Sequence, residues 1–93
     1  MTLKVTVKFF TTLREITGTK EEQLEFSKAP TVESLLRQLS KKYGKDFDDY
    51  VYNELGSVHG HLHFLVNGKS ITALNTKLND GDTVAILPPV GGG

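Results

Sequence analysis

The chain has 93 residues, 38% of them apolar and 24% charged, with 11 Lys plus Arg balanced by 11 Asp plus Glu. That length builds one hydrophobic core and is too short for two, and zero formal net charge gives neither nucleic acid nor an anionic membrane the basic excess such partners need. Cysteine is absent, so the chain has no disulfide, thiol nucleophile or thiolate metal ligand, and any sulfur chemistry must come from a partner.

The start, Met1-Thr2-Leu3-Lys4-Val5, lacks the apolar stretch of a signal peptide, and no run approaches membrane-spanning length, so the expected compartment is the cytoplasm. From Leu3 to Phe9 apolar Leu3, Val5, Val7 and Phe9 alternate with Lys4, Thr6 and Lys8, the period of a strand with one buried face. Phe10 breaks that alternation and falls on the polar face. A turn-rich connection through Thr17-Gly18-Thr19-Lys20 leads to a second strand, Gln23 to Phe26, and the two segments read as a hairpin.

Thr31 is the expected N-cap of a helix that carries Glu33 in its first turn, where the helix dipole favours negative charge. Val32, Leu35, Leu36, Leu39 and Tyr43 share one helical face, and Gly44 stops the element. Residues 45–58 fit both a short amphipathic helix, on Phe47, Tyr50, Val51 and Leu55, and a loop, on Asp46, Asp48, Asp49, Asn53 and Gly56. His61 to Val66 reads as a strand closed by Asn67-Gly68, residues that tolerate positive φ. Ile71 to Leu74 is a candidate edge segment, and Leu78-Asn79-Asp80-Gly81-Asp82 turns into a last strand, Thr83 to Leu87. Within that strand Val84 and Ile86 lie on one face, Ala85 and Leu87 on the other.

The order of elements predicts an α+β fold, a mixed sheet of four to five strands with one main helix on one face. The pattern suits a ubiquitin-like β-grasp, whose first and last strands would be parallel neighbours. Residues 1–87 form the expected domain and 88–93 a functional tail. Pro88-Pro89 favours an extended path away from the sheet, and Gly91, Gly92 and Gly93 are slim enough for a narrow channel in a partner. From Pro88 onward the chain reaches at most about 20 Å. Phe10 and Leu87, apolar on an otherwise polar face, would flank the exit of that tail as a docking patch.

No P-loop, dinucleotide fingerprint or catalytic nucleophile with its base is present. His59, His61 and His63 have the spacing to converge on a metal, but the favoured reading is three polar positions on a solvated face, with no metal site. Glu21-Glu22 and the acidic run Asp46 to Asp49 read as solvated loop positions, and the lysines as solubility groups.

Taken together, Val7-Lys8-Phe9-Phe10, Leu13-Arg14-Glu15, Val66-Asn67-Gly68 and the stretch from Leu78 through the L-x-D-G-D turn to Pro88-Pro89-Val90-Gly91-Gly92-Gly93 resemble the MoaD family of sulfur carriers, small subunits of molybdopterin synthase. The resemblance implies that Gly93 is adenylated by a ubiquitin-activating-type enzyme, which uses the ATP, and becomes a thiocarboxylate. The chain itself would bind no cofactor and catalyse nothing. The large subunit of molybdopterin synthase would receive the tail, Pro88, Pro89, Val90, Gly91 and Gly92, and contact Phe10 and Leu87. Ser70 stands at a third contact position, where the family often has an apolar residue. Longer members with a segment like residues 45–63 resemble archaeal proteins. Two alternatives stay open: a protein modifier joined through Gly93 to lysines of target proteins, and a sulfur carrier for tRNA thiolation.

Overall fold

Period-2 patterning and turn chemistry assemble a five-stranded sheet in the computed structural model, which describes residues 2–59 and 62–88. The elements are β1 (Leu3–Phe9), α1 (Thr12–Thr17), β2 (Glu21–Phe26), α2 (Val32–Tyr43), α3 (Lys45–Val51), β3 (His63–Val66), β4 (Lys69–Ile71) and β5 (Thr83–Leu87). The strand order is β2-β1-β5-β3-β4. The two terminal strands, β1 and β5, are parallel neighbours at its centre and every other pairing is antiparallel. This is the ubiquitin-like β-grasp that the order of elements predicts.

One face of the sheet carries Val5, Val7 and Phe9 from β1, Leu24 from β2, Phe64 from β3 and Val84 and Ile86 from β5, all buried. Against it lies α2, burying Val32, Leu35, Leu36 and Leu39 at spacings of three and four, the stripe a helix needs to cover a sheet. Each such side chain, fully buried, contributes about 1.5–3 kcal/mol.

The start of α2 closes with a capping box. Thr31 Oγ1 accepts from the Ser34 amide at 3.1 Å, and Ser34 Oγ accepts from the Thr31 amide at 2.8 Å. The next helix amides are satisfied by the returning chain, Val32 donating to the Thr76 carbonyl and Glu33 to that of Leu74. Gly44, at φ 82°, ends the helix.

The region left open at 45–58 resolves into α3, which buries Phe47 and Val51, followed by a loop. Other expectations need correction. The connection between β1 and β2 contains a helical turn, α1, because burying Leu13 outweighs the weak helix preference of its threonines. β1 and β2 do pair, with Lys8 opposite Glu21, so β2 begins two residues before the expected Gln23. β3 begins at His63, and His61 is outside the described residues. The edge strand lies at Lys69–Ile71, earlier than Ile71 to Leu74, because the two-residue turn folds Lys69 directly against Val66.

That turn is fixed from across the molecule. Asn67, at φ 52°, donates from Nδ2 to Asp82 Oδ1 at 2.9 Å, and its Oδ1 accepts from the Thr83 amide at 2.9 Å. Asp82 also accepts from the Asn79 amide at 2.8 Å, and Asp80 from the Lys4 amide at 2.8 Å. The aspartates of the turn thus join the entries of β1 and β5 to the β3–β4 turn. Asn67→Ala removes two side-chain hydrogen bonds and a residue suited to positive φ, so it is expected to cost about 2 kcal/mol in urea denaturation, with an unchanged m-value.

Candidate functional site

Sheet register decides what surrounds the exit of the tail. β1 and β5 pair with Phe9 opposite Ile86 and Lys8 opposite Ala85. Continued by one residue, this register sets Phe10 beside Leu87. Both are half-buried and lie on the face away from α2. β3 completes the surface, with His63 opposite Leu87, Leu65 opposite Ala85, and Ser70 of β4 opposite Leu65.

Two rows therefore cross the sheet at this end, one running Phe10, Leu87, His63 and the other Lys8, Ala85, Leu65, Ser70. Their apolar members, Phe10, Leu87, Ala85 and Leu65, are half-buried, while Lys8, His63 and Ser70 are exposed. Farther along the same face the pairs turn polar, Thr6 opposite Gln23 and Lys4 opposite Glu25. An apolar end on a polar face is an anisotropy the core does not require.

Pro88, next to Leu87, is half-buried and is the last described residue. The expected roles of Pro89, Val90, Gly91, Gly92 and Gly93 fall outside the described residues. Leu65 and Ala85 are the additions that sequence reasoning did not place in the patch. The signal was available: in β3 the alternation that buries Phe64 turns Leu65 the other way. Ser70 sits at the far rim of the patch, where Leu65 supplies the apolar surface that Ser70 lacks.

The turn that follows Phe10 is strained. Thr11 has φ 49° and ψ −117°, the values of the first central position of a type II′ turn, and the Leu13 amide donates to the Phe10 carbonyl at 3.1 Å. Glycine is the usual residue there, since a β-branched side chain at positive φ is a conformational outlier. The elbow lifts the chain off the sheet into α1, and the Arg14 guanidinium carbon lies 5.9 Å from the Phe10 ring centroid, over its face.

On the opposite face Glu22 is not the solvated carboxylate expected from its acidic neighbourhood. It alternates onto the same side as Leu24, where it accepts from the Tyr43 hydroxyl and from Lys42 Nζ, the latter at 2.8 Å. Burial first, then the hydrogen bond and charge of Glu22, push the Tyr43 phenol above its ordinary range. Tyr43 also meets Phe9 edge-on at 6.0 Å between ring centroids, so this cluster ties the helix to the end of β1, next to Phe10.

A groove of about 570 Å³ lies between α2 and α3 and is lined by Arg37, Ser40, Asp48, Tyr52 and Asn53 among others. It is on the helix side and shares no residue with the patch, whereas a second groove, of about 420 Å³, includes His63 and Ser70 at the rim of the patch. Among the described residues no cluster could hold a metal ion, and no helix is long and apolar enough to cross a membrane.

A sequence model of the ThiS family matches residues 7–93. The chain is 34% identical to small archaeal modifier protein 3 of Haloferax volcanii, over 98% of this chain and 100% of that protein. It is 33% identical to the molybdopterin synthase sulfur carrier subunit of Mycobacterium tuberculosis, over 98% and 99%. Among solved structures, SAMP1 from Haloferax volcanii superposes with a TM-score of 0.83 at 27% identity, covering 97% of this chain and 99% of that one.

Relief of the elbow gives a direct test of its strain. A residue at such a φ costs about 1–3 kcal/mol, and glycine gives back roughly 0.5–1 kcal/mol in unfolded-state freedom. Thr11→Gly is therefore expected to stabilise the fold by about 1 kcal/mol, read as a higher midpoint in urea.

Proposed function

The chain belongs to the ThiS family, and from that premise we propose that it is a sulfur carrier, the small subunit of a molybdopterin or tungstopterin synthase. It acts as the delivered group and leaves catalysis to its partners. An ATP-using, ubiquitin-activating-type enzyme adenylates the Gly93 carboxylate with release of pyrophosphate, a sulfide-level sulfur donor displaces AMP at the acyl carbon to give a thiocarboxylate, and the large synthase subunit accepts the tail. The chain supplies the acyl carbon and a means of presenting it.

The observation that carries this reading is the apolar end of the outer sheet face, Phe10, Leu65, Ala85 and Leu87, at the base of the tail. A partner gripping that end would hold the sheet as a handle, with Gly93 within about 20 Å of Pro88. Pro88 and Pro89 limit bending, and the glycines add no bulk in the channel. The name of the Mycobacterium tuberculosis relative supports the sulfur-carrier role.

The modifier names carried by Haloferax volcanii relatives favour a second reading, in which the activated Gly93 is transferred to lysines of other proteins. The same tail and activation step serve both, and the nucleophile that consumes the activated end separates them. Intact-mass analysis of the protein isolated from its own cells distinguishes the two. A carrier shows oxygen-to-sulfur exchange at the C-terminus, which a variant lacking Gly92 and Gly93 loses while keeping its thermal midpoint. Gly-Gly remnants on lysines of other proteins, with no thiocarboxylate detected, would exclude the carrier reading in favour of the modifier.

A further inference from the structure

We propose that the groove between α2 and α3 is a binding site for a small zwitterion the size of a free dipeptide, its carboxylate held by Arg37 and the Tyr52 hydroxyl and its ammonium by Asp48 and Asp49. The site shares no residue with the docking patch, and the proposal stands apart from the carrier reading.

The first observation is a polar atom that the fold leaves over. The Tyr52 hydroxyl oxygen is buried and has no hydrogen-bond partner among the described residues, where it is the single side-chain atom in that condition. Burial strips such a group of water, and it is ordinarily satisfied by something else. Packing against the core accounts for the ring of Tyr52 but not for its oxygen, since phenylalanine would pack as well. Burial also pushes the Tyr52 phenol up, so the group stays neutral and offers its proton to an acceptor.

The second is the place where that tyrosine stands. Arg37, Tyr52 and Gly56 line both the α2–α3 groove and a smaller one of about 240 Å³ bounded by Glu33, Ser57 and Leu74, so these three residues form the partition between them. The loop side of the partition is firmly built. Asn53 Oδ1 accepts from the amides of Leu55 at 2.9 Å and Ser57 at 3.1 Å, the Asn53 amide donates to the Ser57 carbonyl at 2.8 Å, and Gly56 turns the chain at φ 82°. Arg37 is the adjustable side: it is exposed, and its ion pair with Glu33 at 2.8 Å is of the surface kind that contributes little. A ligand carboxylate draws the guanidinium away from Glu33, and that shift opens the partition and brings the Tyr52 hydroxyl within reach of the same carboxylate.

The third is the arrangement of charge. Arg37 and Lys41 of α2 supply one wall of the groove, and Asp48 and Asp49 of α3 supply the other. Asp48 accepts from the Ser40 hydroxyl and Asp49 pairs with Lys45 at 2.7 Å, yet a carboxylate has about four acceptor positions, so both keep capacity for an ammonium. A simple anion is repelled by the acidic wall and a simple cation by the basic one, whereas a zwitterion matches both. Packed helices run about 8–10 Å apart and two extended residues span about 7 Å, so a dipeptide bridges the walls better than a single amino acid.

The test is a titration of the isotopically labelled full chain with glycyl-leucine at constant ionic strength, following amide shifts. Saturable shifts confined to Arg37, Asn53, Gly56 and their neighbours are expected. Loss of one hydrogen bond to a charged group weakens binding about tenfold or more, so Tyr52→Phe and Arg37→Gln are each expected to raise Kd about tenfold. N-acetyl-glycyl-leucine and glycyl-leucine amide, each lacking one charge, should also bind about tenfold more weakly than the parent dipeptide. The thermal midpoint of Tyr52→Phe should hold or rise, because the oxygen removed had no partner. Absence of saturable shifts in the wild-type chain, a Kd for Tyr52→Phe or for either blocked dipeptide within about twofold of the reference, or a lowered midpoint for Tyr52→Phe would overturn the proposal. Arg37→Gln, a change at an exposed position, keeps the question open to refutation if Tyr52→Phe does not fold.

Discussion

The parallel pairing of β1 with β5 is the constraint on which the working end depends. It places the two terminal strands at the centre of the sheet, sets Phe9 opposite Ile86 in the core, and by the same register sets Phe10 beside Leu87 on the other face. A slip of one residue would exchange the faces of one strand, burying Leu87 or exposing Ile86. Core packing and the docking patch are therefore specified by a single register, and α2 enforces it by accepting only one face of each strand.

The sheet divides its labour between its faces. Toward α2 it is sealed by a continuous apolar cluster and by Glu22, which bridges Tyr43 and Lys42. Away from α2 it is polar along most of its length and apolar only at the end from which the chain leaves β5. The opposite end of β5 is bound tightly, with Asp80, Asp82 and Asn67 closing the turn that feeds the strand. A carrier needs that contrast: a body rigid enough to be gripped, and a tip chemically simple enough to enter another protein's active site.

Much of this was legible in residue order because the relevant signals are local and periodic. Val32, Leu35, Leu36 and Leu39 mark α2, Thr31 and Gly44 mark its ends, and the alternation in β1 singles out Phe10. Asn67-Gly68 announces its turn. What was not legible depends on tertiary contact. α1 is a six-residue element whose threonines favour other structure, and it exists because Leu13 reaches the core. Glu22 reads as solvated beside Glu21 until the alternation of β2 turns it toward Tyr43. Leu65 and Ala85 join the patch only once β3 and β5 are known to be neighbours. The positive φ of Thr11 could not be read at all, since nothing about a threonine suggests a position that glycine prefers.

The central claim, that the apolar end of the outer sheet face is the handle by which partners hold this chain, is tested most directly by mapping backbone amide shifts in the isotopically labelled protein as the adenylating enzyme is added. Perturbations centred on Phe10, Leu65, Ala85 and Leu87, with the α2–α3 groove around Arg37 and Asn53 undisturbed, are the predicted result. A footprint centred on that groove, with the sheet face unchanged, would contradict the account.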